Sequence, residues 1–323
     1  MNLLVFLEHH GDRLTQGSLG VLTKAAALGK GRVAAVVVGG GNVKAVASEA
    51  GRFGATKVYV AADDALEPPL PQPRVDVLDD VVRAGGHDTV LFSNSVLTAD
   101  IAAGLAARLD AGLNWDLVDL AEQSGRLVAK RPALQDSVLV EVGWRSERRV
   151  ALFRAGSFEP APSGTDDPEI EEVAVQLEQH SLGARIVDQR FANEGGPSIE
   201  GAEVVVAGGM GLGGPEHFAL AEALAEALGG VVGATRAAVY AGWYPHAAQI
   251  GQTGKTVSPK LYVALGVSGA VQHKVGMQSS KVIVSINKDP AAPIFEFSDL
   301  AVVGDLHAIV PELTELVRRR KGS

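Results

Sequence analysis

The stretch Leu261-Tyr262-Val263-Ala264-Leu265-Gly266-Val267-Ser268-Gly269-Ala270-Val271-Gln272-His273 passes from five apolar residues through a glycine turn into a helical pattern. A short apolar run closed by glycine reads as a buried strand, and a helix starting directly behind it marks a parallel strand–helix unit. The helix is expected from about Gly269. Free backbone N–H groups at such a start are able to receive a phosphate, although Ser268 serves equally well as a helix N-cap. Gln272 and His273 fall in the first turn, beside whatever that start binds. For His273 alone, a structural histidine is the plainer reading.

Outward from this stretch the alternation continues. Strands are expected over 203–207, 261–266 and 282–286, with helices over 215–228 and near 306–317. That is one doubly wound α/β domain. Behind its first strand, Gly209-Met210-Gly211-Leu212-Gly213-Gly214 fits G-x-G-x-x-G in the strand-to-helix context that gives the pattern meaning. A nicotinamide site would also place an acid about 20 residues further on for the ribose hydroxyls; residues 229–236 (GGVVGATR) hold none. The pattern reads equally as a turn needing positive φ. Gln252, Thr253, Gln272, His273 and Asn287 add polar groups from several strand ends.

The first half alternates in the same way. Strands are expected over 3–7, 33–38, 57–60 and 89–92, with helices over 18–28, 43–53, 75–84 and 98–109. From Arg126 onward the apolar runs 127–129, 138–142 and 150–153 lack helices between them and predict an antiparallel addition to the sheet. Residues 159–172 hold three prolines and six acids and read as an exposed loop. The domain boundary is expected near 191–199, giving domains over 1–195 and 196–323.

Composition narrows the chemistry. The chain has 323 residues, 46% hydrophobic and 21% charged, with a net charge of -9. An acidic balance disfavours a nucleic-acid surface, which needs clustered Lys and Arg; the run Arg318-Arg319-Arg320-Lys321 reads as a solvated tail. The absence of cysteine leaves redox chemistry to a bound cofactor. Residues 1–8 meet an acid too early for a signal peptide and no apolar run reaches the ~20 residues of a membrane span, so a cytoplasmic location is expected.

Five blocks carry a resemblance. They are Thr235-Arg236-Ala237-Ala238, Gln249-Ile250-Gly251-Gln252-Thr253-Gly254-Lys255, Gly266 to His273 as quoted above, Ile286-Asn287-Lys288-Asp289-Pro290, and Val303-Gly304-Asp305-Leu306. In order and spacing the chain resembles electron transfer flavoprotein alpha subunits. The resemblance implies two doubly wound domains, the carboxyl-terminal one Rossmann-like and holding FAD, the amino-terminal one packing on a beta subunit that carries AMP or a second FAD. It implies a heterodimeric electron carrier, not an enzyme with turnover of its own, that relays electrons from flavin dehydrogenases to a membrane quinone reductase of the respiratory chain. Arg236 would then stabilise negative charge on the isoalloxazine, Thr253 would hydrogen-bond near N5, and His273 would donate toward O2. Ser268, Gly269, Ala270, Val271 and Gln272 would hold the ribityl and pyrophosphate region, and Asn287 and Asp305 the adenosine half. Thr235, Gln249, Ile250, Gly251, Gln252 and Leu306 complete the implied site together with Met210. Asp305 has a helix N-cap as its rival reading. Two positions depart from the family, which usually has Arg at Met210 and Asp at Tyr240. Two other readings stand beside this one: a nicotinamide-dependent oxidoreductase, supported only by residues 209–214, and a non-redox adenine-nucleotide-binding protein.

Overall fold

A computed structural model describes residues 1–29, 32–134, 136–164, 167–188 and 199–321. It divides the chain into two compact units, Met1–Gln189 and Arg190–Ser323. The boundary expected near 191–199 lies, apart from Ile199, outside the described residues.

The first unit is built on a seven-stranded sheet in the order Glu169–Glu172, Lys57–Ala62, Val33–Gly39, Leu3–Leu7, Thr89–Ser93, Arg149–Phe153, Gly112–Leu117, with every neighbouring pair parallel. Leu3–Leu7 is buried along its whole length, because helices cover both faces of a parallel sheet and leave no side chain facing water. Leu3, Val5 and Leu7 pack with Leu19, Leu22, Val46 and Ala50 from the helices Gln16–Leu28 and Lys44–Arg52. Leu4 and Phe6 pack on the other face with Leu78, Val82, Ile101 and Leu105 from Pro71–Gly85 and Val96–Leu109.

Two expectations for this unit are corrected. The runs after Arg126 do not extend the main sheet: Asp119–Gln123, Arg126–Ala133 and Val138–Val142 form a separate antiparallel sheet, as short connections dictate. Arg149–Phe153 instead enters the main sheet in parallel. The proline- and acid-rich segment ends in a strand, Glu169–Glu172, whose side chains are all exposed. Lys57 bridges Glu169 at 3.1 Å and also pairs with Glu171. Acidic composition keeps a segment out of a core but not off a sheet edge.

The second unit is a six-stranded parallel sheet in the order Gln249–Ile250, Val231–Thr235, Val204–Gly208, Leu261–Leu265, Ile283–Asn287, Leu300–Val303. One face carries the helices Phe218–Leu228 and Leu306–Lys321, whose Phe218, Ala221, Leu224, Leu306 and Val310 pack on Val206 and Val263. The other face is covered by shorter segments that bring Val257, Met277 and Ile294 onto Val205, Ala207 and Tyr262. The last helix runs a turn beyond the expected 306–317, so Arg318 to Lys321, exposed as expected, are its closing turn rather than a tail. Cations suit a helix C-terminus, and Lys321 Nζ donates to the Leu228 carbonyl at 2.8 Å, joining the ends of the two helices. No helix among the described residues is long and apolar enough to cross a membrane.

Candidate functional site

In the second unit the chain starts at Val204–Gly208, moves outward through Val231–Thr235 to Gln249–Ile250, then returns to Leu261–Leu265 and proceeds in the opposite direction. Open parallel sheets bind ligands beyond the carboxyl ends of their strands, at the point where the order reverses. The sequence-predicted residues all stand at that edge. Met210 follows the first strand; Thr235 ends the second and Arg236 follows it. Gln249 and Ile250 are the third strand, continued by Gly251, Gln252 and Thr253. Ser268, Gly269, Ala270, Val271, Gln272 and His273 follow Leu261–Leu265, Asn287 ends the fifth strand, and Asp305 and Leu306 follow the sixth.

The glycine pattern at residues 209–214 serves the backbone more than a phosphate. Gly211 N–H donates to the Gly266 carbonyl at 2.9 Å, and a Cβ on Gly211 would lie 2.6 Å from Gly266 Cα, which itself sits at φ +62°. The two loops flanking the reversal point therefore touch backbone to backbone, an approach only glycine allows. Single turns at Met210–Leu212 and Pro215–His217 intervene before the helix, which begins at Phe218 rather than 215. Met210 is 47% exposed at this rim. The carboxyl end of the second strand, where the nucleotide fingerprint places its ribose acid, carries Thr235 and Arg236.

The helix expected from about Gly269 is a single turn, Val271–Lys274. Its N-cap is Ala270 with no side-chain hydrogen bond, so Ser268 is not the cap. The Ser268 carbonyl accepts from Ile294 N–H at 3.0 Å, and Gly269, at φ +87°, is pressed against Ile294. Ser268, Ala270, Val271 and Gln272 are exposed at the rim.

His273 is turned inward. Its ring is buried, Nδ1 lies 3.2 Å from the Ile250 carbonyl, and Nε2 lies 2.8 Å from the Tyr262 hydroxyl. A carbonyl only accepts, so Nδ1 carries the proton and Nε2 accepts from Tyr262. Burial lowers the imidazole pKa to about 4, because a charge there loses its hydration. Both ring nitrogens are thus engaged by the chain itself, where the resemblance would have His273 donate toward a flavin oxygen. What the ring does is fasten the third-strand loop to the turn at 271–274. Gln252 N–H donates to the Gln272 carbonyl at 2.7 Å alongside it, and Gly251, at φ +136°, sits 2.7 Å from that carbonyl by its would-be Cβ. Sequence reasoning missed Tyr262, which reads only as one more apolar residue of a strand.

That fastening lies beside a buried amide with one unpartnered atom. Gln249 is 1% exposed. Its Nε2 donates to Thr253 Oγ1 at 3.1 Å, while its Oε1 has no hydrogen-bond partner. Unmatched buried amides are rare, since each costs about 1–3 kcal/mol. Thr253 and Gln252 are exposed beside it. Arg236 opens the helix Arg236–Tyr240, capped by the Thr235 side chain, and its guanidinium lies 4.9 Å over the ring of Tyr240.

At the far end of the edge, Asn287 donates to the Val267 carbonyl at 2.9 Å and accepts from Asp289 N–H at 3.0 Å. Asp305 accepts from His307 N–H at 2.9 Å at the start of Leu306–Lys321, which is the N-cap arrangement. Leu306 is buried beneath it.

Residues 198–278 match the electron transfer flavoprotein FAD-binding domain and residues 3–178 the electron transfer flavoprotein domain. The chain is similar to the electron transfer flavoprotein subunit alpha of Mycobacterium leprae, 42% identical over 99% of both chains. It is likewise similar to that of Mycobacterium tuberculosis strain H37Rv, at 43% over 99% of both. The alpha subunit of Bacillus subtilis strain 168 is 38% identical over 89% of this chain and 88% of its own length.

Proposed function

The chain belongs to the electron transfer flavoprotein alpha subunits, and from that premise we propose that the carboxyl edge of its second unit holds FAD, between a dehydrogenase donor and a quinone reductase acceptor. When bound, FAD supplies the electron acceptance and release. The chain's residues supply its seat. The observation that carries the reading is the Gln249 amide, buried and half-unpaired, beside the Thr253 hydroxyl and one strand from Arg236. A heteroaromatic edge offering both donors and acceptors fits such a group; an apolar ligand would leave it orphaned.

In this reading Gln249 and Thr253 orient the ring edge, and the Arg236 cation favours negative charge accumulating there. His273 and Tyr262 hold the loop that carries Gln249 in register. The exposed residues Ser268, Ala270, Val271 and Gln272 face the polar middle of the cofactor, with Asn287 and Asp305 toward its adenosine end. The protein is an electron carrier rather than an enzyme with its own substrate.

The first unit is the one that meets the beta subunit. Supporting this is the hairpin strand Val138–Val142, an edge strand of its sheet, on which Leu139 is 60% exposed beside exposed Val138 and Val140. An apolar, exposed edge of this kind is a surface awaiting a partner.

Co-expression with a beta subunit tests the proposal. A yellow heterodimer releasing one FAD from this chain is expected, with Leu139→Lys weakening assembly by about tenfold and leaving the flavin spectrum of the residual complex unchanged. A colourless complex, or flavin retained in full by an Arg236→Gln, Gln249→Leu double variant at parental affinity, would contradict it.

A further inference from the structure

We propose that Tyr240 is a positioning residue: its ring holds the Arg236 guanidinium in place at the flavin edge without cancelling its charge. The inference rests on the FAD reading above.

Arg236 and Tyr240 are four residues apart in one five-residue helix, the spacing that puts side chains on a common face. The guanidinium carbon stands 4.9 Å from the ring centroid, inside the ~6 Å range of cation–π attraction. Such a cation is poorly served by its helix, because the N-terminal end of the backbone dipole is itself positive. A carboxylate would be the ordinary remedy, yet among the described residues Arg236 makes no ion pair with an acid. The ring is its partner.

The kind of partner matters for charge. A carboxylate at 240 would attract the guanidinium and offset its field at neighbouring atoms. An aromatic face attracts through a quadrupole and carries no net charge, so the cation is fixed yet remains fully effective on whatever ring lies beside it. Tyr240 also has no evident core role. It is 67% exposed, whereas the helix is anchored by buried Ala238 and Val239. Substitution at 240 therefore changes the surroundings of Arg236 without removing core packing.

The test is potentiometry of the flavin in the assembled heterodimer, for the parent, Tyr240→Phe, Tyr240→Leu and Tyr240→Asp, at low and high salt. Tyr240→Phe keeps the ring and should keep the parental potential. Tyr240→Asp should disfavour the first reduction by about fivefold, which at ~59 mV per tenfold for one electron is roughly 40 mV in the negative direction. The Asp effect should shrink at high salt, as exposed charge effects do. Tyr240→Leu should fall between, since it frees the guanidinium but adds no charge. An unmoved potential in Tyr240→Asp would overturn the inference. So would a Tyr240→Phe shift as large as that of Asp, which would assign the effect to the hydroxyl. A parental heterodimer without flavin would overturn the FAD reading and this inference with it, whereas a flavin-bearing parent with an unresponsive Tyr240→Asp overturns the inference alone.

Discussion

The two units share one plan and differ in what stands where that plan reverses. The main sheet of each unit is fully parallel, starts at an inner strand, grows outward on one side, and then crosses to the other. In the first unit the reversal lies between Leu3–Leu7 and Thr89–Ser93, in the second between Val204–Gly208 and Leu261–Leu265. Topology alone offers a ligand crevice at both. In the first unit the chain meets its own polar groups there. Ser95 donates to Glu8 Oε1 at 2.9 Å, Glu8 N–H donates to Ser18 Oγ at 3.0 Å, and Thr98 donates to the Ser93 carbonyl at 2.6 Å. In the second, glycine backbones close the floor, the Gln249 Oε1 nearby has no hydrogen-bond partner, and Arg236 has the Tyr240 ring beside it and no acidic partner among the described residues. His87 Nε2, an unpaired buried atom of the first unit, precedes Thr89–Ser93 and so sits at the opposite end of its sheet. A shared fold thus does not make a shared site; the state of its polar groups distinguishes them.

The largest effect expected from this comparison comes from the backbones themselves. Gly266→Val places a branched side chain at φ +62° and 2.6 Å from Gly211 Cα. A left-handed conformation and overpacking against backbone that cannot retreat together cost about 2–4 kcal/mol. We expect a thermal midpoint lower by several degrees and most flavin lost. The matching change in the first unit is Gly17→Ala, whose Cβ would meet the Ser93 hydroxyl. A hydroxyl can rotate away, so a cost below about 1 kcal/mol and unchanged flavin content are expected. Equal costs in thermal unfolding would remove the distinction between a rigid floor and an adaptable one.

Polar substitutions should then separate the units by sign. Gln249→Leu removes a buried group that is half-unpaired in the flavin-free chain, so stability without flavin should hold or rise while FAD affinity falls by about tenfold, within the ~1–3 kcal/mol of an unmatched buried group. Ser95→Ala takes away both a helix N-cap and the partner of Glu8. It should cost about 1–2 kcal/mol of stability and leave FAD affinity alone. Titration of flavin fluorescence against each variant, beside thermal melts, reads both quantities. If Gln249→Leu destabilises the flavin-free chain as Ser95→Ala does, Gln249 is a structural amide.

How much of this was legible in the residues follows from what each signal measures. Apolar runs such as Leu3–Leu7 and Leu261–Leu265 mark strands buried on both faces, and these were found to within a residue. Val231–Thr235, Gly112–Leu117 and Leu300–Val303 were missed because glycine, polar side chains or partial exposure interrupt the run. The runs at 126–142 read as strands, but periodicity gives burial and not partners, so it does not show that they belong to a sheet of their own. The candidate site residues come from the family resemblance, and strand–turn–helix punctuation explains why they stand at one edge of the sheet. Their orientation was not legible. Nothing around His273 in the sequence announces a buried tyrosine at 262 facing it, and the 209–214 glycines match a phosphate pattern while serving contact with Gly266.

The smallest expected effect sharpens the comparison through pH, because burial shifts Glu8 of the first unit and His273 of the second in opposite senses of stability. His273 is held at about 4, below the ordinary 6.5, so at pH 6 the unfolded chain takes a proton that the folded chain refuses. Its contribution to stability is full above 6.5 and declines as the pH falls toward 4. Between pH 8 and pH 6 the loss is about 1 kcal/mol. His273→Gln can still donate to the Ile250 carbonyl and accept from Tyr262, so its stability should lack this decline, and the difference between parent and variant isolates His273 from the other histidines. Glu8 behaves in reverse. Burial raises its pKa against the opposing hydrogen bond from Ser95, so its contribution is full below 4.5 and is lost as the pH rises through the folded value. At pH 7 the buried carboxylate is therefore a burden, and Glu8→Gln should unfold slightly later than the parent at that pH but show no gain at pH 4. The two difference curves, each from thermal melts of the full chain across pH 4–8, should slope in opposite directions. Curves of the same slope would mean that desolvation is not what governs these two groups, and that one of the two crevices is wetter than its packing indicates.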